Sequence, residues 1–252
     1  MKKGWKIFLI ISLLGNLTIL YVGMKALEYR AHINEFLDKY TYVVNEFSRR
    51  DRYAGENKSL ISDELVENRV VFLGSQVTEN WNLTENFPEY ETVNRGVSYQ
   101  RVSGFLLRFR PDVIELHPGA VLIEISSYNF RPESSVKEIE DYAACMADLA
   151  KANGIEPYLT TIIPPCQDSA DLGEYSIMDS LAAFNSWVKE YCGRNNLEFV
   201  DFNRAVAGSA GFLSPQFTSG AIDLNREGYR VISLAAREIL GKINRIAPTH
   251  QN

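Results

Sequence analysis

Nucleophilic catalysis near neutral pH asks for a nucleophile and for a base of suitable pKa, and histidine is the side chain that best fits the second role. The 252-residue chain has three histidines, His32, His117 and His250. None is well placed: His32 falls in an N-terminal helical stretch, His117 precedes a strand-like run, and His250 is in the C-terminal tail. Cys145, Cys166 and Cys192 are far apart and lack C-x-x-C or Cys/His spacing, so no metal or other cofactor is expected. Two of the thiols could pair outside the cytoplasm. What remains are polar residues at the ends of short apolar runs: Ser75 and Gln76 after VVFLG, Gly96 closing TVNRG, Tyr128 and Asn129 after VLIEIS, and Asp223 before a final amphipathic stretch. A serine attacks only when a base takes its proton, whereas a glutamine amide offers one acceptor and two donors but no nucleophile. An aspartate, with an ordinary pKa near 3.9, is a weak base at pH 7.

These residues need elements to position them. Val70 to Gly74, Thr92 to Gly96, Ala120 to Ser126, Pro157 to Ile163 and Glu198 to Asp201 read as five short strands. Helical patterns lie between them at Ser135 to Asn153, stopped by Gly154, and at Ser176 to Cys192, followed by Gly193; a last helix follows Asn225. Apolar strands alternating with helices predict a parallel sheet covered on both faces, with ligands at the carboxyl ends of the strands. The residues after the first three strands should therefore share one crevice, while His117 belongs at the opposite end of the sheet.

Four of these segments, within roughly residues 69 to 240, carry a family likeness. VVFLGSQVTENW resembles the first block of the SGNH/GDSL hydrolases, VNRGVS the second, VLIEISSYNF the third, and FTSGAIDLNREGYRVI the last. The resemblance implies a three-layer α/β/α sandwich with a five-stranded parallel sheet, flavodoxin-like, over about residues 66 to 246. It also implies an esterase site, but with substitutions. Ser75 stands at the family's aspartate, Gln76 at the serine nucleophile, Gly220 at the acid and Asp223 at the histidine. Gly96 and Asn129 match the oxyanion-hole residues, and with Gln76 they form the ligand-binding set that the resemblance implies.

Each marked residue also has a plainer reading. Ser75 is either a turn residue or a relocated nucleophile. Asp223 suits a helix N-terminus as well as a ligand contact, and Asn129 could brace a loop. Trp81 and Tyr128 could stack on a sugar or acyl group, or pack in the core.

Ahead of this domain, residues 7 to 24 form an uncharged apolar run reaching about 27 Å, enough to span a bilayer. Lys2, Lys3 and Lys6 precede it, and no small-x-small cleavage site follows. The expectation is a single-pass signal anchor over residues 1 to 25, with the globular domain outside the cytoplasm. Ala26, Tyr29, Ile33, Phe36, Tyr40, Val43 and Phe47 recur every three or four residues, a helix stripe that could pair with a second copy over residues 26 to 47 or pack on its own domain. RRDRYAGENK, residues 49 to 58, reads as a polar linker. A net charge of −6 without clustered Lys and Arg disfavours nucleic acid as a partner. Three functions follow: a non-catalytic binding or accessory protein for an acylated carbohydrate or lipid of the cell envelope, an esterase with a rearranged site using Ser75, or a structural membrane protein assembling through its helix.

Overall fold

Val70, Val71, Phe72 and Leu73 are all buried, and alternate residues serve opposite faces: Val70 and Phe72 join one core, Val71 and Leu73 the other. Such burial on both faces is the mark of a strand covered by helices above and below. The structure, a computed structural model, describes residues 3–41, 49–61, 64–131, 134–167, 171–172, 175–220 and 223–241. It divides into two units, residues 1–47 and 48–252.

Among its described residues the first unit is one helix, α1 (Lys3–Thr41), whose described side chains are all exposed. Its Gly4–Tyr40 stretch is long and apolar enough to cross a membrane. Val43 and Phe47, the last members of the apolar stripe, lie outside the described residues.

The second unit is built on strands β1 (Val66–Gly74), β2 (Glu91–Gly96), β3 (Pro118–Ile123), β4 (Glu156–Thr160) and β5 (Phe199–Val200), all parallel, in the order β2-β1-β3-β4-β5. The expected sandwich and its five-stranded sheet are therefore present. The helices in chain order are α2 (Ala54–Leu60), α3 (Gln76–Glu79), α4 (Leu83–Asn86), α5 (Val102–Asp112), α6 (Val136–Ala152), α7 (Met178–Asn195), α8 (Phe202–Val206) and α9 (Arg226–Leu240). Helices α5, α6 and α7 cover one face through Phe105, Phe109, Ala143, Met146, Phe184 and Val188. Helices α3, α4, α8 and α9 cover the other through Val77, Leu83, Phe202, Ile232 and Ala236. A hairpin, β6 (Thr218–Gly220) with β7 (Asp223–Leu224), leads into α9.

Strand order reverses at β1, with β2 on one side and β3 on the other, so the crevice at their carboxyl ends is the topological switch point. Gly74 pairs with Gly96 and Leu73 with Ile123, which brings the three strand ends level.

Several boundaries differ from the sequence expectation. Helix α7 passes through Gly193 and stops when Asn196 takes the left-handed conformation, φ 52°, a role asparagine fills when glycine does not. Strand β3 ends at Ile123, although the Glu124 N–H still donates to the Leu73 carbonyl at 2.8 Å. The segment 49–58 is no linker: Tyr53 and Asn57 are buried, and α2 docks through a charged cluster beneath β2 and α5. There the Asn57 amide donates to Asp112 Oδ1 at 2.7 Å while its oxygen accepts from Arg95 at 2.8 Å. Arg108, fully buried, pairs with Asp112 at 2.8 Å and also donates to Gln100 and to the carbonyl of Arg95.

Candidate functional site

Gly74, Ser75 and Gln76 turn directly from β1 into α3, and the turn is held by a carboxylate from the residue that follows β3. Glu124 Oε2 accepts from the Ser75 N–H at 2.9 Å and from the Thr78 hydroxyl at 3.1 Å; the Ser75 hydroxyl lies at 3.4 Å. Burial pushes the Glu124 carboxyl above the usual carboxylate range, against the lowering by its Ser75 and Thr78 donors. Space for this contact depends on Gly74. A Cβ there would stand 2.0 Å from Thr78 Oγ1 and 2.6 Å from Glu124 Oε2.

Ser75 is thus an interior residue, 1 % exposed, with its hydroxyl turned toward Glu124. Gln76 is half-buried and faces the crevice. Its side-chain nitrogen donates to Asp223 Oδ1, tying α3 to β7 across the site. The other amide atom, Gln76 Oε1, is buried without a hydrogen-bond partner. The Asp223 backbone carbonyl accepts from Thr218 Oγ1 at 2.9 Å, which fixes the hairpin that carries the carboxylate. Gly220 is exposed at φ 140°, a turn residue with no side chain to contribute. The structure therefore brings Gln76 and Asp223 together and leaves Ser75 beneath them.

The expected oxyanion cradle is largely spent inside the fold. The Gly96 N–H donates to Asn94 Oδ1 at 2.9 Å, and its carbonyl accepts from the Tyr53 hydroxyl. Gly96 serves close packing instead: a Cβ there would lie 2.1 Å from the Glu79 nitrogen and 2.5 Å from its Cα. Asn129 is 3 % exposed, accepts from the Val102 N–H at 2.8 Å and donates to the Ser126 carbonyl at 3.2 Å, so it braces the loop after β3 against α5. Trp81 is likewise no ligand contact. It is 3 % exposed, packs edge-on against Phe72, Phe87 and Phe202, and donates to Ser233 Oγ at 2.9 Å. Tyr128 alone of the aromatic pair is half-exposed, in contact with Tyr99 and Arg131.

Two residues at this end of the sheet escaped the sequence reading. Glu124 looked like one polar letter in an apolar strand, and its isolation in VLIEIS was the available signal, since a buried charge demands partners. Tyr99 gave no signal, because its positive φ is invisible in the residue type.

Among the described residues of the second unit, no imidazole serves this site, since His117 precedes β3 at the other end of the sheet; His32 belongs to the first unit. His250 lies outside the described residues. No group of His, Cys, Asp and Glu among the described residues could hold a metal, and Cys145, Cys166 and Cys192 are free thiols. What the crevice offers is a hydrogen-bond acceptor, the part-exposed Asp223 carboxylate, held in place by the Gln76 amide N–H. Such a carboxylate receives hydroxyl or amine donors and would repel an oxyanion.

Comparison with known proteins agrees with the fold. Residues 70–231 match the model of the GDSL-like Lipase/Acylhydrolase family. A GDSL-like lipase from Bacteroides thetaiotaomicron is 31% identical, with a TM-score of 0.69 over 78% of this chain and 99% of that one. A candidate acylhydrolase from Bacteroides fragilis is 30% identical, with a TM-score of 0.69 over 79% of this chain and 98% of that one. A member of the lipolytic G-D-S-L family from Veillonella parvula, at 14% identity and TM-score 0.57 over 69% of this chain and 98% of that one, shares the fold. Among curated proteins no sequence matches this chain.

Proposed function

We propose that this chain, which belongs to the GDSL-like lipase/acylhydrolase family, is a membrane-anchored member that binds an acylated carbohydrate or lipid of the cell envelope without hydrolysing it by serine-esterase chemistry. The observation that carries this reading is the bond between Gln76 and Asp223, which occupies the positions of nucleophile and base. An amide cannot attack an ester, and a carboxylate already holding an amide N–H is a poor proton shuttle. The alternative nucleophile, Ser75, is closed off from substrate and pointed at a buried acid. The test is turnover of 4-nitrophenyl acetate by the purified chain and by its Gln76→Ala variant. Equal rates for the two, both at the level of a denatured control, are expected; activity that Gln76→Ala abolishes would overturn the proposal.

In this reading α1 is an uncleaved anchor, its short basic tail stays inside, and the second unit lies outside the cytoplasm. The exposed rings of Tyr29, Phe36 and Tyr40, together with Ile33, offer a stripe to a second copy just beyond the bilayer. Sedimentation of the full chain in detergent is expected to give a dimer, and of a chain lacking residues 26–47 but keeping the anchor a monomer; equal masses would refute the pairing.

A further inference from the structure

Tyr99 lies in the turn between β2 and α5 at φ 60°, a conformation bulky side chains rarely adopt. Strain of this kind persists only where the surroundings impose it, and it collects at binding sites. The surroundings here are fixed on both sides: Ser98 N–H donates to Glu79 Oε2 at 2.8 Å, and Gln100 N–H to the Val97 carbonyl at 3.2 Å. Yet the ring so positioned is 58 % exposed.

Its support comes from the loop after β3. Tyr99 meets Tyr128 edge to face, with centroids 5.8 Å apart and planes at 72°. Arg131 lies 4.2 Å over the Tyr128 ring, and the Tyr128 N–H donates to Ser126 Oγ at 3.2 Å. Asn129, bonded to the Val102 N–H, joins the two loops at their base. Tyr128 is therefore a buttress, and Tyr99 is the ring presented to solvent, at the same end of the sheet as Gln76 and Asp223.

We propose that Tyr99, held by Tyr128 and Arg131, is a stacking platform for a pyranose ring, so that the ligand of this site is a saccharide. The inference rests on the binding role proposed above and chooses between its two ligand classes. A pyranose has an apolar C–H face that suits a flat exposed aromatic, and a rim of hydroxyl donors that suits the part-exposed Asp223 carboxylate. A lipid chain would instead require an apolar groove enclosing it, whereas the neighbours of Tyr99 are a second tyrosine with a polar tip, an arginine and a serine.

The experiment is calorimetric titration of the full chain, in a detergent without a sugar headgroup, with oligosaccharides of N-acetylglucosamine, glucose and xylose, plain and O-acetylated. At least one is expected to bind. Tyr99→Gly and Tyr99→Asn, which accept the left-handed backbone, should weaken that binding about tenfold without lowering the melting temperature. Tyr99→Phe should retain it. Equal binding by wild type and by the glycine and asparagine variants would overturn the platform, as would the absence of binding across the whole set. Neither outcome touches the absence of esterase turnover, which the Gln76→Ala comparison decides separately.

Discussion

Replacing Gly96 by alanine should cost about 3 kcal/mol of stability or more, at or beyond the upper end of ordinary overpacking. The new methyl would meet the backbone of Glu79, at 2.1 Å from its nitrogen and 2.5 Å from its Cα. A side chain can rotate out of such a clash, but a peptide unit inside a helical turn cannot. Relief would require α3 to lift from β2, which would also pull at the Gln76–Asp223 tie and the Ser98–Glu79 bonds. Urea unfolding measures the effect. Gly55→Ala is the control, since nothing lies within 4 Å of the added atom and alanine favours the helix. A Gly96→Ala loss as small as the Gly55→Ala change would show that the close approach is not built as described.

Removing the carboxylate of Asp112 should destabilise the second unit by about 3–5 kcal/mol, because it strands a guanidinium in the interior. Arg108 and Asp112 are both fully buried, 2.8 Å apart. Burial already draws the Arg108 guanidinium below its ordinary value, and the neighbouring Asp112 charge is the main opposing influence. Asp112→Ala would also take the acceptor from Asn57, loosening α2. Replacing the pair together, Arg108→Met with Asp112→Leu, should cost much less, since the penalty comes from an unpaired charge rather than from the loss of an attraction. The check is a double-mutant cycle by urea unfolding; a single variant as stable as the pair variant would contradict the account.

The parts of this molecule legible in the sequence were those set by local periodicity and strand order. Five apolar runs separated by amphipathic stretches gave the sheet, the rule that ligands collect at strand ends placed Gln76 and Asn129 at the same end, and the family resemblance added Asp223. Glycine was harder to read. Gly154 ends its helix at φ 73° as its residue type suggests, whereas Gly193 is an ordinary helical residue and Asn196 makes the turn. At Gly96 the type signalled a special role, but the role is close packing under α3, with its N–H given to Asn94.

The misreadings share a cause, which is that hydrogen bonding and burial are settled by tertiary neighbours distant in sequence. For Trp81 the same cause chose between its two readings, and it is core because Phe72, Phe87 and Phe202 converge on it. Tyr53 and Asn57 stand in a stretch of charged and polar letters, yet both are buried by partners 38 to 55 residues away. Glu124 was not anticipated at all: its carboxylate takes up the Ser75 N–H at the start of α3 and holds Ser75 in the interior.

The most direct test of a crevice without an activated hydroxyl is covalent labelling of the native chain with a fluorophosphonate, read by intact mass and peptide mapping. An unmodified mass is expected, with Ser75 unlabelled. A stoichiometric adduct on Ser75 or on any other serine at the carboxyl ends of β1, β2 and β3, lost on heat denaturation, would contradict the account.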